Sequence, residues 1–296
     1  MSSVGAQEGS KKLALALAGD FGTFAKLLTW LENTPVADVL QVEELWKPSR
    51  TAFRVGITGP PGAGKSTLVG RLIARFRALK LRVGVMAVDP SSPFTRGAIL
   101  GDRIRYSEHF EDPGVFIRSL GTRGSLGGLS SSAFLMARAF DVCGFDILLI
   151  ETVGVGQTEL DILHVADQVC VVLVPESGDS IQAMKAGLME IADIFVVNKA
   201  DRPGADGLAR EIEASVHDGE SAKEISVLKC VATENTGVEE LSAKLLSLKE
   251  SVTLKRNSPE RLREEARALL RAQFETTVDQ KLATVKDLKT LAALFR

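Results

Sequence analysis

The sequence predicts an α/β protein: a doubly wound, mostly parallel sheet with helical extensions at both ends. Three observations point there. From Ala52 to about Leu241, short runs rich in branched apolar residues alternate with longer amphipathic segments. Those runs are apolar almost throughout, which suits strands covered on both faces. The stretch GPPGAGKS falls between the first such run and the first such helix, at a strand end, where parallel sheets bind their ligands.

The elements follow in order. Residues 1–50 read as a helical extension. Within it, Asp20 can cap a helix that carries Phe24, Leu27, Leu28 and Leu31 at helical spacing, and Pro48 marks the boundary. Residues 51–256 read as the sheet domain. Its strands are expected in AFRVGITG, LRVGVMAVD, VFIRSLG, FDILLIE, QVCVVLVPE, DIFVVNKAD and ISVLKCVA. Helices are expected from Lys65, in the Ser/Ala-rich run after VFIRSLG, after Asp179, after the NKAD turn and around Leu241. Right-handed crossovers then leave few topologies. Residues 257–296 read as helical again, with Ser258 and Pro259 as a start signal. Leu262, Ala266, Leu269 and Phe274 are expected near one face, with Val278, Leu282, Val285, Ala292 and Phe295 along another. This segment either packs on the sheet domain or serves as a dimerisation arm.

Composition excludes several functions. The 296 residues carry a formal net charge of −2 with dispersed basic residues and few aromatics, so a nucleic-acid partner has no bulk electrostatic support. The cysteines, Cys143, Cys170 and Cys230, suit a reducing compartment, and Cys170 and Cys230 lie in apolar runs as small core residues. With no CxxC pair and with His109, His164 and His217 as the histidines, a Cys/His metal site is not expected. KKLALALAG imitates a secretory signal, but its apolar run is short. No run approaches the ~18 apolar residues of a membrane helix. The expectation is a cytoplasmic protein.

Gly59-Pro60-Pro61-Gly62-Ala63-Gly64-Lys65-Ser66, followed by Thr67, fits G-x-x-x-x-G-K-[ST]. Its glycines let backbone N–H groups turn toward phosphate oxygens, and a helix N-terminus adds partial positive charge. Lys65 can reach the β- and γ-phosphates and is a candidate catalytic residue; Ser66 can ligate Mg2+. Asn198-Lys199-Ala200-Asp201 follows an apolar run and reads as a guanine selector. Asp201 can accept from guanine N1–H and the exocyclic amine. Lys199 can lie along the ring, and Asn198 can tie this loop to the phosphate loop. Adenine leaves the carboxylate unpaired, a mismatch worth on the order of 10⁴-fold. Val231, Ala232 and Thr233, at the next strand end, are expected to contact the base.

Glu151 ends the strand FDILLI and precedes Gly154 and Gly156. A carboxylate there can hold Mg2+ directly or through water, and Gly154 can offer its N–H to a γ-phosphate. Asp89 and Asp102 complete the candidate metal set. Arg103 and Arg105 can sense phosphate charge or pair with acids, or can simply be solvated loop charges. GTP binding and hydrolysis would work these loops as a switch. Gln157 lies three residues past Gly154 and receives no catalytic role. With no base or arginine finger in position, slow intrinsic hydrolysis is expected.

In this order, GITGPPGAGKSTL, AVDPSSPFTRGAILGDRIR, IETVGVGQTE, VPESGDSIQAMKAG and VVNKAD closely resemble the MeaB-type G proteins. That family contains chaperones of adenosylcobalamin-dependent acyl-CoA mutases such as methylmalonyl-CoA mutase. Members have also been called ArgK, or lysine/arginine/ornithine transport ATPases or kinases. The resemblance covers at least Ala52 to Leu241, and GDFGTFAKLLTWLEN resembles the family's N-terminal helix. It implies a P-loop GTPase domain in a homodimer that binds its mutase, gates cofactor loading and protects or rescues the mutase, the partner accelerating hydrolysis. It also implies that Asp179, Gln182 and Lys185, in an additional switch loop, communicate with the partner, with Lys185 approaching the nucleotide as a second candidate catalytic residue. Two features depart from the family. The last base-contacting motif, usually T-S-A, is Cys230-Val231-Ala232, and the C-terminal part is short. Two other readings are a kinase, against which stands the lack of an identifiable acceptor base, and a nickel-delivery GTPase, against which stands the scarcity of His and Cys.

Overall fold

The computed structural model describes residues 3–89, 106–121, 131–152, 164–177, 191–217, 225–256 and 259–283. Within them lies a seven-stranded sheet in the order β3-β2-β4-β1-β5-β6-β7, with every pairing parallel. Its strands are β1 (Phe53–Thr58), β2 (Val83–Asp89), β3 (Val115–Gly121), β4 (Ile147–Thr152), β5 (Gln168–Leu173), β6 (Ile194–Val197) and β7 (Ser226–Lys229). Each falls on one of the seven apolar runs read from the sequence, β4 passing the end of its run by one residue, Thr152. The helix expected after Asp179 lies outside the described residues.

Alternation along the strands sorts side chains onto two faces. On β4, Ile147 and Leu149 point to one core, and Leu148 and Ile150 to the other. The first face is covered by α4 (Lys65–Ala78) and α7 (Val238–Arg256), through Leu68, Leu72, Ile73, Phe76, Leu241 and Leu245. The second face receives α5 (Ser131–Val142), α6 (Ala205–His217) and the N-terminal helices α1 (Val4–Leu17), α2 (Phe21–Asn33) and α3 (Val36–Val39). The segment that imitates a secretory signal forms the last turns of α1 and runs two residues beyond it, with Leu13 and Ala16 in this core.

Helix α2 forms as its sequence suggests. Asp20 accepts from the backbone N–H of Gly22 at 2.9 Å and of Thr23 at 3.0 Å, and these bonds hold its carboxyl below the usual range. Phe24 then enters an aromatic cluster, 4.7 Å from Phe116, 5.0 Å from Phe140 and 5.4 Å from Phe145, centroid to centroid. The edge-to-face pairs add roughly 0.5–1.5 kcal/mol each beyond burial. Gly84 of β2 leaves room for this cluster, since a Cβ there would lie 2.4 Å from the Phe140 ring.

The amino ends of the strands are tied by buried charges. Arg54 pairs with Asp141 of α5 at 2.5 Å, and Asp141 also accepts from Ala52 N–H at 2.8 Å. Asp167 accepts from Arg54 N–H at 2.9 Å and from Arg261 at 3.1 Å. Arg261 belongs to α8 (Pro259–Leu282), whose packing differs from the sequence expectation. Of Leu262, Ala266, Leu269 and Phe274, Leu269 is buried, while Leu262 and Phe274 are 46 % and 69 % exposed and Ala266 is exposed too. The inward stripe is instead Arg261, Glu265, Ala268, Leu269 and Ala272. Arg261 donates to Val165 O and Ala166 O at 3.1 and 2.7 Å, and Glu265 binds Arg138 of α5 at 2.5 and 2.7 Å. Two ion pairs thus flank the apolar contacts of Ala268, Leu269 and Ala272 on the packed side of α8. Val278 is half-buried and Leu282 exposed; Val285, Ala292 and Phe295 lie outside the described residues.

All three cysteines are buried free thiols. Burial pushes Cys143 up to about 11 and Cys230 up to about 12, and raises Cys170 as well. Among the described residues no helix is long and apolar enough to cross a membrane.

Because Phe24 joins α2 to the sheet face, Phe24→Ala should destabilise the whole protein by about 3–5 kcal/mol. Urea denaturation followed by circular dichroism should show one transition at lower urea. A separate early transition for the N-terminal helices would show that they do not share the core.

Candidate functional site

The carboxyl end of β1 lies between those of β4 and β5. Gly59 leaves β1 with φ +136°, and a Cβ there would sit 2.0 Å from Val172 O on β5. Gly64, at φ +85°, begins α4, and a Cβ there would sit 2.4 Å from Asn198 Nδ2. Both conformations and both close approaches require glycine. Between them the loop turns back and α4 starts at Lys65, so its first N–H groups open at the sheet edge. Lys65 is buried, and its ammonium donates to Gly59 O at 2.7 Å and Pro60 O at 2.9 Å.

Glu151 arrives beside this loop because β4 pairs with both β1 and β2: Ile57 and Ala87 are its register partners. It is buried, and Ser66 Oγ donates to its Oε1 at 2.6 Å. Tyr106 O–H donates to its Oε2. Thr152 donates to Thr58 at 2.9 Å, locking the ends of β4 and β1 together. The Ser66–Glu151 pair offers hard oxygen donors and no nitrogen or sulfur, which fits Mg2+ held by a carboxylate, a hydroxyl and phosphate oxygens. Among the described residues no group of three or more His, Cys, Asp or Glu could hold an ion on its own. Asp89 ends β2, but its side chain lies outside the described residues. So do Asp102, Arg103, Arg105, Gly154, Asp179, Gln182 and Lys185.

The NKAD turn follows β6. Asn198 is buried; its Nδ2 donates to Ala63 O of the phosphate loop at 2.8 Å, and its Oδ1 accepts from Ala232 N–H at 3.1 Å. This is the tie to the phosphate loop expected from the sequence, with a second tie to the Cys230–Thr233 stretch. Ala200 N–H donates to Cys230 O at 3.0 Å, closing the two turns on each other. Lys199 has φ +55°, a left-handed conformation uncommon for a residue with a side chain. Asp201 is exposed at the mouth of this turn, and Pro61, Gly62, Thr67 and Thr233 are exposed as well. The contact that reaches Asn198 uses the main-chain N–H of Ala232, which the Cys230-Val231-Ala232 sequence retains.

Two residues of this constellation escaped the sequence reading. Arg71 of α4 donates to Ala232 O at 3.1 Å and Thr233 O at 3.4 Å, bracing the last loop against the phosphate helix. Tyr106 is the second. Neither belongs to a motif, and their partners lie 161 and 45 residues away along the chain.

A family model described as Methylmalonyl Co-A mutase-associated GTPase MeaB matches residues 24–287. The chain is 45 % identical over 279 residues to "Putative GTPase PH0274" of Pyrococcus horikoshii, covering 91 % of this chain and 88 % of that protein. It is 33 % identical over 286 residues to "GTPase ArgK" of Escherichia coli, covering 91 % and 84 %. A crystal structure titled LAO/AO transport system kinase has the same fold, with a TM-score of 0.68 at 23 % identity, over 99 % of this chain and 97 % of that one. With its phosphate loop, NKAD turn and buried Glu151 gathered at one sheet edge, the chain belongs to the family of the methylmalonyl-CoA mutase-associated GTPase MeaB.

Proposed function

We propose that the protein binds GTP with Mg2+, hydrolyses it slowly on its own, and uses the cycle as the chaperone of an adenosylcobalamin-dependent acyl-CoA mutase, methylmalonyl-CoA mutase or a close relative. The observation that carries the nucleotide reading is Asn198, one side chain bonded to both the phosphate loop and the Cys230–Thr233 loop. A ligand spanning that tie presents phosphates at one end and a base at the other. The family match supports the mutase as partner.

The residues divide the work. Gly59 to Thr67 would enclose the phosphates with backbone N–H groups, and the Lys65 ammonium would exchange carbonyl oxygens for phosphate oxygens. Ser66 and Glu151, with Asp89 and Asp102, would hold Mg2+, which when bound neutralises charge on the β- and γ-phosphates. Gly154 would meet the γ-phosphate. Asp201 would read the guanine N1–H and amine, Lys199 would cover the ring, and Val231, Ala232 and Thr233 would line its edge. Arg103, Arg105, Asp179, Gln182 and Lys185 would couple the nucleotide state to the mutase, with Lys185 approaching the nucleotide in the stimulated complex. A cytoplasmic homodimer completes the proposal, and the buried free thiols are in keeping with a reducing compartment.

Lys65→Ala should weaken GTP binding about 10- to 100-fold, because hydrogen bonds to the charged phosphates are lost. Calorimetry with GTP and Mg2+ reads this; unchanged affinity and hydrolysis would remove the phosphate-loop assignment.

Asp201→Asn should weaken GTP binding by about 100-fold and strengthen XTP binding, since the amide can donate to the xanthine carbonyl. Competition against a fluorescent nucleotide checks both directions, and retained guanine preference would place base reading elsewhere.

Adding the mutase should raise the rate of phosphate release from labelled GTP. No stimulation by any candidate mutase would sink the chaperone reading, and label appearing on an amino acid instead would favour the kinase reading.

A further inference from the structure

Glu151 is 4 % exposed, and each of its carboxylate oxygens accepts from a different hydroxyl: Oε1 from Ser66 at 2.6 Å, Oε2 from Tyr106. Ser66 belongs to the phosphate-loop motif; Tyr106 belongs to none. The Tyr106 ring is fully buried, in the cluster that holds Val69, Ile73 and Val85, so it reaches Glu151 from within the core between α4 and the sheet. The short turn that follows it is fixed to the same helix: His109 Nε2 donates to Gly70 O on α4 at 3.0 Å. The hydroxyl is therefore held from two directions, by the packed ring and by the anchored turn.

A carboxylate rotates about its last torsion unless both oxygens are engaged. Ser66 alone fixes one oxygen. A second donor on the other oxygen sets the plane of the group and keeps the Oε1 edge turned toward Ser66, on the phosphate-loop side. Partners of this kind, one bond removed from a metal, commonly decide how tightly the metal is held. We propose that Tyr106 is a positioning residue whose hydroxyl orients Glu151 for Mg2+, so that the gain in nucleotide affinity brought by Mg2+ depends on it. The proposal rests on the GTPase reading above and adds a residue to its metal site.

Tyr106→Phe keeps the buried ring and removes the hydroxyl. Calorimetry should be run with the non-hydrolysable GTP analogue GppNHp, in Mg2+ and in EDTA, on the wild-type protein and on Y106F. The expected result is a magnesium-free affinity within about 2-fold of wild type, with the tightening brought by Mg2+ reduced about 10- to 100-fold. A purely structural role would weaken both affinities alike, and that result overturns the proposal. So does Y106F with its full magnesium dependence intact, an outcome that leaves the GTPase reading standing. Wild-type protein that fails to bind GppNHp, or binds it without regard to Mg2+, brings down the metal-site reading and this proposal with it.

A second measurement needs no variant. Tyr106 is the one tyrosine of the chain, so protein labelled at tyrosine ¹³Cζ gives a single NMR signal. That signal should move when Mg2+ is added to the GppNHp complex. Should Y106F fail to fold, this titration decides alone, and an unmoved signal overturns the proposal.

Discussion

Seven parallel strands leave all their carboxyl ends at one edge, and the strand that launches the phosphate loop lies in the interior of that row, between β4 and β5. The rest of the site depends on this placement. Parallel pairing demands long crossovers, so neighbouring strand ends come from distant parts of the chain. Glu151 of β4 thereby reaches Ser66, and Asn198, beyond β6, reaches Ala63 across 135 residues of sequence. The space between strands is so narrow at Gly59 that a side chain would strike Val172 O. Glycine there is a condition of the sheet order as much as of phosphate binding.

The two ends of the sheet are built on opposite terms. At the amino end, Arg54 pairs with Asp141 and Arg261 with Asp167, which also accepts from the Arg54 main-chain N–H, joining β1, α5 and α8. Such buried charges add little net stability, but removing one partner is costly, which makes the arrangement a specific fastening. At the carboxyl end the polar groups belong to strand ends, loops and helix starts. A ligand can meet them there without disturbing the core.

The phosphate loop is organised in advance. Lys65 is buried, and carbonyls of its own loop accept from its ammonium. A buried cation without acceptors would be expensive, so these bonds hold the loop in its turned form. Arg71 braces the neighbouring loop against α4, and Asn198 ties it to Ala63 of the phosphate loop. A nucleotide would then replace neutral acceptors with charged ones instead of ordering a loose chain, and affinity gains when ordering is already done.

The sequence by itself determined every strand of the described sheet, the cap at Asp20, the start of α4 and the identity of the phosphate and NKAD turns. These are properties of short stretches: side-chain polarity repeating with the backbone period, glycines where the backbone needs them, a carboxylate placed to receive two N–H groups. The tertiary structure alone decided the strand order, the rotation of α8, the left-handed Lys199 and the recruitment of Arg71 and Tyr106. The side of α8 that packs on the sheet was not legible in the sequence because Arg261 and Glu265 look like solvated charges until Asp167 and Arg138 are set opposite them. A polar side chain acquires its role from what faces it, and what faces it here is fixed by strands far away in the chain, a relation that no local pattern carries.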